Sequence, residues 1–310
     1  MLLSRPATGL WIVLGILITG LSFAAPRVAR ADGGADSITA AILADRKETE
    51  EWLRSKPTSY LAAVRRIDFE NRSTLTVGSA DGNDLRLEDS TLSARHLSVT
   101  VVGDSFRVEV LDPAAEFTVR GTGTRAATLA PTSIGLGRFA LRLSHQRFPA
   151  LIVFDPQSPR FAQFKGLRYF PVDLSYRLWV SLKPNPRPDT MVIVSTRGSQ
   201  RRAVAAGWFE FRLGGKKWRL EATRLLEPGV GENDFSVFFR DATTGKETYE
   251  VGRYLEPVRQ ADGRYVLDFN NAYNPACAFS DHYNCPIPPR GNTLRVAVRA
   301  GEMDSHYATH

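Results

Sequence analysis

Residues 265–289 read YVLDFNNAYNPACAFSDHYNCPIPP. Its start, Tyr265 to Phe269, is a mostly apolar run of strand length. Beyond Asp268 the pattern dissolves into asparagines, prolines and aromatics. Phe269, Tyr273, Phe279 and Tyr283 are too bulky and too close together for a solvated loop. The stretch therefore reads as a strand running into an ordered, non-repetitive segment packed on a core. It also holds both cysteines of the chain, Cys277 and Cys285.

Working outward, the second half of the chain is a succession of strands. Residues 176–180, 191–195, 208–213, 218–220, 235–239, 265–269 and 294–298 read as strands. Gly214-Gly215 joins two of them as a hairpin. No long helical period interrupts them, so the expectation is an antiparallel barrel or closed sandwich. Residues 64–160 hold another set of short strands, with turns at Asp81-Gly82-Asn83 and Gly103-Asp104, which suggests a β-sandwich. Ahead of it, within residues 32–63, Ile38, Ala41, Ile42, Trp52 and Leu53 recur near helical spacing. Arg46 with Glu50 and Lys47 with Glu51 stand one turn apart, as outer-face ion pairs. Asp36 or Ser37 is the expected cap, and Pro57 ends the helix.

The fold class is thus mostly β: an N-terminal sandwich, then an antiparallel barrel or closed sandwich, with one N-terminal helix. The domain plan is 1–31, 32–63, 64–160, 161–303 and a tail 304–310. Residues 1–31 have a positive end, an apolar run and the triplet Ala29-Arg30-Ala31, the order of a cleaved signal peptide. The run is short of the ~20 residues that cross a bilayer. Cleavage after Ala31 predicts a periplasmic or secreted protein whose only membrane contact is the leader. In such a compartment, two cysteines eight positions apart read as one disulfide.

The chain is 43% hydrophobic and 24% charged, a globular composition. Three of its seven excess positive charges, Arg5, Arg27 and Arg30, belong to the leader. The rest are scattered among acids, so no concentrated basic face for nucleic acid is expected. There is no phosphate loop, nucleophile elbow or HExxH helix. Cys277, Asp281, His282 and Cys285 lack ordinary zinc spacing, and no metal or cofactor is expected.

The candidate binding residues are Arg240, Asp241, Arg253, Asp268, Asn270 and Asn274. The arginines would suit a small or extended anionic ligand. The alternatives are a hydrolase-type enzyme using Asp268, His282 or the Cys277 thiol, and an envelope scaffold. A buried ion-pair network is the structural counterpart of the same residues.

Two resemblances come from the motifs. LTVGSADGNDLRLEDSTLSARHLSV, residues 75–99, resembles the forkhead-associated (FHA) domain through Gly78, Asn83-Asp84-Leu85, Ser93 and His96. That family's phosphate-binding Arg is replaced by Ser79, and Arg120-Gly121 stands nearest its Asn-Gly pair. The resemblance therefore implies the fold and not phosphopeptide binding. His96 is expected to be buried and to fix a loop by hydrogen bonds. GLRYFPVD (166–173), FFRDATTGKETYEVGRYL (238–255) and residues 267–302, with ADRKETEEWL (44–53) ahead, resemble the DUF1684 family. It carries no established activity.

Overall fold

The computed structural model describes residues 34–146, 148–227 and 230–305. The expected leader lies outside the described residues. No described helix is long and apolar enough to cross a membrane.

The N-terminal half is a sandwich of two sheets. One has six strands in the order Ala63–Asp68, Phe148–Phe154, Phe139–Gln146, Ser133–Leu136, Phe117–Val119, Thr122–Thr124. The other has five, in the order Leu85–Arg86, Thr74–Gly78, Leu97–Val102, Ser105–Val110, Ala126–Leu129. All their pairings are antiparallel except Thr74–Gly78 with Leu85–Arg86. Alternation fills the space between the sheets. Leu75 and Val77, Leu97 and Val99, Phe106 and Val108, Leu141 and Leu143 all point into one core.

Gly78 and His96 shape the loop end of this sandwich. A Cβ at Gly78 would lie 2.3 Å from the carbonyl oxygen of Ala94, so only glycine lets the two chains pass. His96 is buried. Its Nδ1 accepts from the Ser93 amide at 3.2 Å, which leaves Nε2 as the donor to the Glu116 carbonyl at 2.9 Å. One neutral imidazole thus ties two loops.

Strand Phe148–Phe154 explains why the halves are fused. Leu151 and Val153 enter the sandwich core, while Ile152 and Phe154 enter a second core on the sheet's outer face. A strand covered on both faces needs a continuous apolar run, and ALIVF supplies it. The second core also takes Leu53 from the helix, Leu61, Phe164, Ile193, Leu225, Tyr254, and Phe279 and Tyr283 from the segment 276–286.

The C-terminal half distributes its strands over three sheets. Arg177–Val180, Tyr265–Asp268 and Val258–Arg259 form one. The long strand Gln200–Leu213 pairs with Leu182–Pro184, Thr190–Val194 and Lys216–Leu225 in another. Val237–Phe239 and Arg253–Leu255 make the third. No closed ring of strand pairing is formed among the described residues. The glycine hairpin is present: Leu213 pairs with Lys216, and Gly214 and Gly215 both have positive φ (56° and 76°), as a two-residue turn that follows the strand twist requires. The strand expected over 294–298 is absent.

The helix spans Ala35–Ser55. Its N-cap is Gly34 and no side chain caps it, so neither Asp36 nor Ser37 takes that role. Lys47 and Glu51 form the expected exposed pair at 3.6 Å. Arg46 does not pair with Glu50. It turns inward, stacks 4.4 Å over the Tyr169 ring and donates to the carbonyls of Phe170 and Asn270. Glu50 pairs with Arg54 instead. The physical reason is that burial demands acceptors for the guanidinium, and two free carbonyls offer them. The helix is a strap across the C-terminal half.

Gly78→Ala should lower sandwich stability by about 1–3 kcal/mol, because the methyl group must displace backbone. A downward shift of the urea midpoint in circular dichroism checks this.

Candidate functional site

Five of the six candidate binding residues fall into two linked sets of ion pairs and hydrogen bonds, in which Arg253 Nε and Asn274 Oδ1 are left without a partner. In the first, Arg253 is 1% exposed. Its Nη2 donates to Asp241 Oδ2 at 2.6 Å and to the Val298 carbonyl at 2.9 Å. Nη1 donates to the carbonyls of Ala300 (2.5 Å) and Glu302 (3.2 Å). The other carboxylate oxygen of Asp241 accepts from the amide and hydroxyl of Thr243, and that hydroxyl meets Thr248 Oγ1 at 2.9 Å. Burial pulls the Arg253 pKa below the ordinary arginine value, and Asp241 opposes that shift.

The second set centres on Asp268. Arg177 Nη1 donates to its Oδ2 at 2.7 Å, and both the amide and the side chain of Asn270 donate to Oδ1. Asn270 also exchanges two 2.9 Å bonds with the backbone of Asp173. Its carbonyl receives Arg46 from the helix. Asn274 belongs with the first set: its amide and side chain donate to the Glu302 carboxylate, both at 3.0 Å. Arg240 stands apart, half-buried, with Nε on the Val251 carbonyl.

The structure therefore joins Arg253 with Asp241, Asp268 with Asn270, and Asn274 to Arg253 through residue 302. Arg177, Glu302 and Arg46 are partners that the sequence reading missed. Arg177 was hidden in a strand, with nothing in its neighbours to mark Asp268 as its opposite number. Glu302 was visible only as the last residue of the stretch 267–302 that resembles the DUF1684 family.

The catalytic alternatives do not converge. Among the described hydrogen bonds, none joins Asp268, His282 and Cys277. His282 is half-buried with Nδ1 3.5 Å from Asp281, and burial lowers its pKa. The expected disulfide is not formed: both thiols are free and buried, 3.4 Å apart, against about 2.05 Å for a bond. The Cys277 amide donates to Cys285 Sγ at 3.3 Å, and Tyr249 Oη donates to Cys277 Sγ at 3.6 Å. Hydrogen bonding from Cys285 lowers the Cys277 pKa, whereas burial raises that of Cys285. No group of three or more His, Cys, Asp and Glu that could hold a metal occurs among the described residues.

An open cleft lies in the sandwich instead. It has a volume of about 290 Å³ and lies between residues 91–96, 114–118 and the glycines 135 and 137. One carboxylate lines it, and two more bond to residues that line it. Glu116 lines it. Asp89, beside Gly137 and Thr91, is held below the usual carboxylate range chiefly by the Thr91 hydroxyl, and Asp112 by the Ser93 hydroxyl.

Two substitutions separate the roles of buried charge. Asp241→Asn strands the Arg253 guanidinium without its counter-charge. It should cost about 3–5 kcal/mol by chemical denaturation, with Asp241→Leu/Arg253→Met recovering much of it. Glu221, opposite Trp208 on the long hairpin, has its pKa raised above 4.5 by burial. A raised carboxyl contributes stability below that value and loses it as pH climbs through the folded-state value. Wild type should therefore lose stability relative to Glu221→Gln as pH rises from 4.5, measured by urea titrations across that window.

Residues 162–303 match the family model described as protein of unknown function (DUF1684). An uncharacterised protein of Haloarcula marismortui, with a solution NMR structure, is similar at 37% identity over 48% of this chain and 80% of its own, with TM-score 0.39. The FHA domain of a Chlamydia trachomatis protein is similar at 22% identity over 26% of this chain and 76% of its own, with TM-score 0.21. EmbR of Mycobacterium tuberculosis, in complex with a low-affinity phosphopeptide, is similar at 15% identity over 41% of this chain and 34% of its own, with TM-score 0.19. No curated protein matches. Through residues 162–303, the chain belongs to the DUF1684 family of proteins of unknown function.

Proposed function

We propose that this is an exported, two-domain binding protein with no chemistry of its own. Its partner would enter the sandwich cleft, and the C-terminal half would serve as the rigid block behind it. The observation that carries this reading is the contrast between the two candidate regions. In the C-terminal half, the buried charges of Arg253, Asp241, Arg177 and Asp268 are already paired with one another, and Arg253 also with backbone carbonyls. The cleft of about 290 Å³ is open and polar.

An anionic ligand in the C-terminal half would have to break Arg253 from Asp241, a costly exchange for a buried pair. At the cleft, Glu116 in the lining, with no arginine or lysine beside it there, favours a neutral or cationic peptide-like group over a phosphate. Export rests on the order of residues 1–31.

One experiment addresses both parts. A photo-reactive amino acid is placed at Thr91, with Lys217 on the far hairpin as control, in the producing cell. The exported protein should begin at Asp32 and carry covalent partners at position 91 but not 217. A cytoplasmic, uncleaved chain would overturn export. Equal or no capture at the two positions would overturn the cleft.

A further inference from the structure

The segment between the two cysteines is a wedge. Tyr60, at the start of the sandwich, sits 5.6 Å from the Phe279 ring and 5.2 Å from Tyr283, with Trp52 of the helix 4.9 Å away on its other side. Arg66, on the sandwich edge strand, donates to the His282 carbonyl at 3.3 Å. Arg197, from the C-terminal half, donates to the neighbouring Asp281 carbonyl at 2.9 Å. The same short loop is thus gripped from both halves. Its two ends meet at sulfur, where Cys277 and Cys285 stand 3.4 Å apart.

Other contacts hold those ends in place. The Cys285 amide donates to Thr196 Oγ1 at 3.1 Å. The Cys277 amide donates to Cys285 Sγ, so the backbone of one cysteine is already drawn to the sulfur of the other. Tyr249 Oη donates to Cys277 Sγ. A hydroxyl donor on a sulfur stabilises the thiolate there, and thiolate is the form that attacks a disulfide.

We propose that Cys277 and Cys285 are a reversible dithiol–disulfide pair whose closure clamps the loop joining the two halves. The oxidant is an external disulfide, a small molecule or an oxidoreductase. The Cys277 thiolate attacks one of its sulfurs, forming a mixed disulfide and expelling one thiolate. The Cys285 thiol gives its proton to that leaving thiolate and attacks Cys277 Sγ, expelling the second, which takes up the proton that Cys277 released to solvent. Two S–H bonds become one S–S bond, and the external disulfide is reduced to two thiols. Both sulfurs are buried, so exchange proceeds through opening of the loop and is slow. This inference stands whatever the cleft binds.

The test uses the full exported chain, reduced and then equilibrated with increasing glutathione disulfide. Samples are quenched in acid, alkylated in denaturant and weighed intact. The expected product carries neither alkyl groups nor glutathione and is lighter than the dithiol by two hydrogen atoms. Two alkylated cysteines at every ratio, or a glutathione adduct that never resolves, would refute closure. Cys285→Ser should trap glutathione on Cys277, and trapping only in Cys277→Ser would reverse the order of attack. Hydrogen exchange then reads the clamp: amides of 278–284 and of Ala63–Asp68 should exchange several-fold more slowly in the oxidised protein. Equal exchange in the two redox states would overturn the clamp. That comparison uses wild-type protein and does not depend on any variant folding.

Discussion

A guanidinium with no access to water organises the C-terminal half. Arg253 can stay charged in that interior only if most of its donors are met, and a single carboxylate cannot meet them. Asp241 supplies the counter-charge. The carbonyls of Val298, Ala300 and Glu302 take the remaining protons of the two Nη atoms, and Nε alone has no partner. This requirement bends the end of the chain around one side chain. It also delivers Glu302 to Asn274, and so fixes the start of the cysteine-bearing segment. Gly301 takes positive φ in the same turn, where a Cβ would press 2.6 Å against two carbonyl oxygens.

The two halves are joined through the second core, which takes side chains from both. Ile152 and Phe154 leave the sandwich by its outer face and meet side chains from the helix and from the segment 276–286. The helix adds a polar tie through Arg46, whose two carbonyl acceptors belong to the C-terminal half. A surface of apolar packing reinforced by buried, directional bonds resists sliding better than apolar contact alone. A partner held in the sandwich cleft would be presented by a rigid body.

The legible parts of this chain were those set by local pattern. Strands with one buried face, the Gly214-Gly215 turn, the helix over Ala35–Ser55 and the loop-fixing role of His96 follow from spacing, turn chemistry or motif. The illegible parts were choices among equivalent partners. Residues 294–298 alternate like a strand, yet no ladder forms there. The Leu294 amide donates to Arg240, the Val296 carbonyl accepts from Ala242, and the Val298 carbonyl is taken by Arg253. The candidate binding residues were correctly read as polar and crowded. That crowding described internal pairing as well as it described a pocket.

The amino-acid order alone determined that the protein is mostly β, that its first domain is a sandwich of the FHA kind and that its second half is DUF1684-like. Periodicity, glycine placement and long motifs are properties of neighbouring residues, and neighbours are what a sequence records. Only the tertiary structure decided that Arg46 faces inward, that Asp268 answers to Arg177, and that the two sulfurs approach without bonding. Those outcomes depend on which distant carbonyl or carboxylate reaches a buried charge first. Desolvation makes such a choice expensive to reverse, and it leaves no local trace in the chain.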